Sequence, residues 1–121
     1  MWFHKKRLIL SKIDKSKFDN MYFAQKLKSL REEHGYLQKQ IAALLDVDTP
    51  MYSRIERGER FAKEDFLPLL AKFYNYDENE LRQLWLADKV YDVIAGESNA
   101  NEVLNIVSEG IVQYGEEKAN S

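Results

Sequence analysis

From residue 22 onward, apolar residues recur at spacings of three and four, the period of helices with one buried face. Phe23, Leu27 and Leu30, with Tyr22 beside them, predict a first helix over residues 22–33, ended by His34-Gly35. Ile41, Ala42, Leu44 and Leu45 share one side of a second helix over 38–45. Asp46-Val47-Asp48 breaks it. A third runs over 50–57, with Thr49 at its N-cap and Pro50 in the first helical position, where a missing N–H costs little. Gly58 supplies the left-handed residue that closes it. Ala42, Val47, Tyr52 and Ile55 fall on the core side by the same spacing.

A fourth helix over 65–74 is expected to bury Phe66, Leu67, Leu70, Phe73 and Tyr74, with Pro68 in its first turn. Phe61, in the loop before it, is expected to plug the core. Asp77 caps a fifth helix over 78–95. Its apolar residues, from Leu81 through Leu84, Trp85, Leu86, Val90, Tyr91, Val93 and Ile94, cover more than one stripe. One face suits the domain; the remainder needs a cover, either the last helix or a second subunit. After a polar loop, where Asn99 and Glu102 have capping-box spacing, a sixth helix is expected over 101–114. It carries Val103, Leu104, Ile106, Val107, Ile111 and Tyr114, and a polar tail follows.

These elements make an all-α chain. Its 121 residues suit one domain with an appended element. The division expected is a basic extension over 1–20, a helical domain over 21–82, and a possible dimerisation region over 83–121. The extension shows no clean helical stripe. It reads either as a weakly packed arm or as a basic arm that touches DNA backbone or minor groove.

Charge sharpens this division. Residues 1–20 hold six Lys/Arg against two Asp/Glu, a net of +4; residues 21–63 hold eight against six, +2; residues 64–121 hold four against twelve, −8. A basic front suits phosphate, and the acidic tail is held away from it. Without Cys there is no disulfide, thiolate nucleophile or Cys-based zinc site. His4 and His34 are too few and too far apart for a metal site. No Gly-rich phosphate loop appears, and adjacent acids such as Glu32/Glu33 and Glu116/Glu117 point apart on a helix. Neither an enzyme, a metal nor a cofactor is expected. No apolar run reaches the length of a membrane span.

Two short helices joined by a tight turn form the arrangement that places a helix in the DNA major groove. The run Leu27-Lys-Ser-Leu-Arg31, then Gln38-x-x-Ile41-Ala42, Val47, and Ser53-Arg54-Ile55-Glu56-Arg57-Gly58 resembles phage repressor and Cro-type (Xre-like) helix-turn-helix regulators over about residues 22–82. Two positions depart from that pattern: Leu37 stands where Ser or Thr is usual, and Asp46 where Gly is usual. The resemblance implies a lambda repressor-like five-helix domain, here with an additional C-terminal helix, in a bacterial, cytoplasmic regulator of double-stranded DNA. It implies base contacts from Thr49, Pro50, Met51, Ser53 and Arg54, phosphate contacts from Gln38, Arg57, Arg60 and Lys63, and an ion pair between Arg31 and Glu56. Arg54 is the leading candidate for direct readout, since its fork matches guanine O6 and N7.

Dimerisation is expected through Leu84, Trp85, Val90, Tyr91, Ile94, Val107 and Ile111. The stretch Leu84-Trp-Leu-Ala-Asp-Lys-Val-Tyr91 is similar to regulators encoded beside DNA methyltransferase and restriction genes. The rival expectation is an antitoxin or other interaction module, whose C-terminal helices bind a toxin or another protein.

Overall fold

The computed structural model describes residues 20–120, and the basic extension expected over 1–20 lies, but for Asn20, outside them. The described residues form six helices and no strand: α1 Tyr22–Glu33, α2 Gln38–Leu45, α3 Thr49–Glu56, α4 Phe66–Tyr74, α5 Glu78–Ile94 and α6 Ala100–Asn120. The described residues are all-α, with a repressor-like helical domain in α1–α5. Those five helices share one core, in which Leu27, Ile41, Tyr52, Leu67, Leu70 and Leu81 are fully buried. α2 packs on α3, α1 on both α3 and α5, and α4 on both α2 and α5. α6 makes no extended packing with any of them.

Each turn is set by a few polar groups. α1 begins at Met21, which is buried and has no side chain able to cap. The missing acceptor comes from α5: Asp88 Oδ2 accepts from the N–H groups of Phe23 (3.0 Å) and Ala24 (3.4 Å). At α2, Leu37 cannot cap either, but the Gln40 side chain accepts from the Leu37 N–H at 2.7 Å, which is half of a capping box. Asp46 ends α2 in the left-handed region (φ 58°), a conformation Asp tolerates better than most residues. The Val47 N–H then reaches the Ala42 carbonyl at 3.0 Å.

Several expectations are corrected. The N-cap of α3 is Asp48, whose Oδ1 accepts from the Met51 N–H at 2.7 Å. Thr49 and Pro50 are therefore the first and second helical residues. Pro50 still needs no N–H there, so the helix loses nothing by the shift. Phe73 is exposed, because the buried stripe of α4 runs through Phe66, Leu67, Leu70, Ala71 and Tyr74. Its ring rests beside Tyr36 and Tyr74 at the domain edge. Phe61 is also exposed, and the adjacent Ala62 enters the core in its place. Trp85, expected on a dimer face, is a core residue whose indole N–H donates to the Ala62 carbonyl at 2.8 Å. Lys89 sits 4.0 Å over the same ring. Finally, the helix expected to end at Tyr114 continues through the segment read as a polar tail, to Asn120.

Asp88 is the least obvious of these devices. Burial pushes its carboxyl above the usual carboxylate range, and the α1 backbone N–H groups only partly oppose this. Asp88→Ala removes the acceptors of two buried N–H groups. The expected cost is about 1–2 kcal/mol in urea unfolding. Asp88→Asn, which keeps one carbonyl oxygen, should cost less than half of that.

Candidate nucleic-acid interface

α3 has two faces of opposite character. Tyr52, Ile55 and Glu56 are buried. Thr49, Pro50, Arg54 and Arg57 are exposed, and Met51 and Ser53 are half-buried. A helix of eight residues is marginal by itself in water. Its orientation must come from what holds the buried side.

The holding group is the Glu56 carboxylate, with a side chain only 2% exposed. Arg31 on α1 grips it with two bonds, Nε to Oε2 at 2.5 Å and Nη2 to Oε1 at 3.0 Å. Gln38, at the start of α2, donates to Oε1 at 3.1 Å. Tyr52, one turn earlier on α3, donates its hydroxyl to Oε2 at 2.6 Å. A third Arg31 nitrogen donates to the Tyr36 carbonyl at 3.0 Å, tying in the α1–α2 turn. Burial by itself would raise the Glu56 carboxyl. The bonds from Arg31, Tyr52 and Gln38 outweigh it and hold the group below the usual carboxylate value. Burial and the same bond drive the Tyr52 hydroxyl far above the ordinary phenol range, so it stays a donor. Three helices thus meet on one buried charge.

The positions singled out in the sequence divide accordingly. Gln38 is committed to Glu56, and the exposed half of its side chain faces outward at the start of α2. Met51 leans on the core, so only part of it faces outward. Because Asp48 takes the cap, the Thr49 hydroxyl is relieved of that task. Arg54, Arg60 and Lys63 are exposed. Arg57 is not idle. It forms a two-pronged pair with Glu59 (2.8 and 3.1 Å) and donates to Ser53 Oγ at 2.6 Å. Gly58, at φ 78°, turns the chain so that Glu59 can reach back.

Sequence reasoning missed three participants. Tyr52 lies four residues before Glu56, a spacing that places both on one helix face, so its bond was within reach of the pattern. Glu59 and Asp88 act through turns and tertiary contacts that no local pattern carries. The described residues contain no group of three or more His, Cys, Asp or Glu able to hold a metal ion, and no described helix is long and apolar enough to cross a membrane.

Two outcomes follow from these groups. A carboxyl whose folded-state value is depressed stabilises the fold above its unfolded value and loses that contribution as pH falls. Thermal melting should therefore show stability falling as pH drops below about 4.3, the unperturbed glutamate value. Glu56→Gln should flatten that limb. Glu59 holds the Arg57 guanidinium and would compete with a DNA phosphate brought to it. Glu59→Gln should tighten binding to DNA of any sequence and steepen the salt dependence by about 1 in log–log slope, read by fluorescence anisotropy.

The family model described as helix-turn-helix matches residues 27–81. No curated protein and no solved structure gives a significant match. The matched stretch runs from Leu27 in α1 to Leu81 in α5, and it contains the α2–turn–α3 pair together with the whole Glu56 network. In line with the resemblance to repressor and Cro-type regulators, residues 27–81 are a DNA-binding helix-turn-helix domain.

Proposed function

We propose that the protein is a sequence-specific transcriptional regulator of the Xre-like type. In this reading a dimer binds a near-palindromic operator with α3 of each protomer in the major groove. The supporting observation is the asymmetry of α3: its inner face is fixed by the buried Glu56 network, and its outer face presents Thr49, Pro50, Ser53 and Arg54. A rigidly held helix can discriminate between bases because its side chains reach them at fixed positions. Arg54 is assigned the guanine contact. Thr49, Pro50, Met51 and Ser53 complete the base-facing set, with Pro50 and Met51 offering apolar contact to a thymine methyl. Gln38, Arg57, Arg60 and Lys63 hold phosphates, fixing position without reading sequence. Arg57 does so after exchanging Glu59 for a phosphate oxygen.

The place of action is the bacterial cytoplasm, where the DNA is. No catalytic step or cofactor belongs to this mechanism. Control of a restriction–modification locus rests on the resemblance of residues 84–91, two of which, Trp85 and Asp88, serve the fold here. The antitoxin reading draws on the exposed apolar residues of α5 and α6. A neighbouring methyltransferase gene favours the first, a toxin gene the second.

Selection of bound sequences from random duplex DNA tests the main reading. The wild type should enrich a palindrome with half-sites about 34 Å apart. Arg54→Ala should lose preference at one position in each half-site, about 1–3 kcal/mol of discrimination. Absence of any enriched sequence contradicts the reading. Deleting residues 1–20 tests the basic arm: affinity and salt slope should both fall if those residues touch the backbone.

A further inference from the structure

α6 is a 21-residue helix that buries almost none of its surface on its own chain. Its apolar residues are not scattered. Ala100, Leu104, Val107, Ile111 and Tyr114 follow one another at spacings of four, three, four and three. That alternation is the heptad spacing of a seam along which one helix packs on another. The last four are exposed, Ile111 at 66% and Tyr114 at 63%.

Charge placement says what kind of helix fits. Glu102, Glu109 and Glu116 are spaced by seven, so all three lie on one stripe, opposite the seam. The positions flanking the seam are Asn101, Ser108 and Gly115 on one side and Val103, Gly110 and Glu117 on the other. Of these only Glu117 is charged. Nothing approaches within 4 Å of where a Cβ would stand at Gly110 or Gly115, so the room beside the seam is open. Two copies of this acidic helix can therefore meet closely with the carboxylates of Glu102, Glu109 and Glu116 turned outward. A basic partner would find a single acid, Glu117, along the seam margin to pair with.

We propose that α6 is the dimerisation element, pairing with α6 of a second copy of this chain along Leu104, Val107, Ile111 and Tyr114. The proposal rests on the dimeric reading above and narrows it from the α5–α6 region to one face of one helix. It removes Trp85 from the interface. The other exposed large apolar residues of α6, Ile106 (71% exposed) and Val112, lie off the seam.

Sedimentation of the full chain at tens of micromolar, without DNA, tests it. The wild type should be a dimer. Ile111→Asp should weaken self-association at least about tenfold, since a carboxylate would be buried unpaired. Ile106→Asp, an equal change on an even more exposed residue off the seam, should leave the dimer intact. Circular dichroism and thermal melting check that α1–α5 remains folded in both variants. A monomeric wild type overturns the proposal. So does dissociation by Ile106→Asp that matches that of Ile111→Asp. DNA selection on the same samples keeps the two ideas apart: a dimer that depends on Ile111 but enriches no sequence sinks the DNA reading and leaves the seam standing.

Discussion

A carboxylate taken out of water must be paired and hydrogen-bonded or it destabilises the fold. Glu56 meets that demand through donors on three helices: Arg31 from α1, Gln38 from α2 and Tyr52 from α3 itself. Neither α2 nor α3 exceeds eight residues, so neither is stable alone. Their mutual angle is set by apolar packing through Ile41, Ala42, Leu45, Tyr52 and Ile55, and their register by the charge. Apolar packing tolerates small rotations. A two-pronged arginine–carboxylate pair does not, because both bonds must be kept at once.

That fixity carries outward. With Tyr52, Ile55 and Glu56 held inside, the turn geometry of α3 places Arg54 outside, and Arg57 follows three residues on. Arg57 is then drawn to Glu59 across Gly58 and bonds Ser53 as well, so the outer face of α3 has its own ordered polar cluster. This surface pair is screened by solvent and cheap to exchange for a phosphate. The buried pair is neither. One helix thus has a rigid side that orients it and an adaptable side that can meet a ligand.

The sequence made the helices legible because their apolar positions repeat with the helical period, and the bounds of α1 and α2 follow the pattern closely. The Arg31–Glu56 pair came from the family resemblance, not from spacing. What the pattern could not show was competition between neighbours of similar character. Asp48 and Thr49 can both cap α3, since Pro50 needs no N–H at either the first or second position, and the carboxylate takes the place. Phe61 and Phe73 are apolar enough for the core, but Ala62 and Ala71 are the residues buried there and both rings stay exposed. Trp85 looked like surplus apolar surface on α5, and only the fold reveals the Ala62 carbonyl beneath its indole. Asp88 reaches α1 across more than sixty residues of chain, beyond any local signal.

The central claim is that the buried charge at Glu56 sets how α3 is presented to DNA. A double-mutant cycle with Arg31→Met, Glu56→Gln and both together tests this directly, scored on the ratio of affinity for the selected operator to that for random DNA. The account predicts that each single change lowers the ratio with little effect on random-sequence affinity, and that the double change lowers it by much less than the sum. Additive effects, or a ratio that stays constant while only stability falls, would show that the ion pair serves the fold and not the reading of DNA.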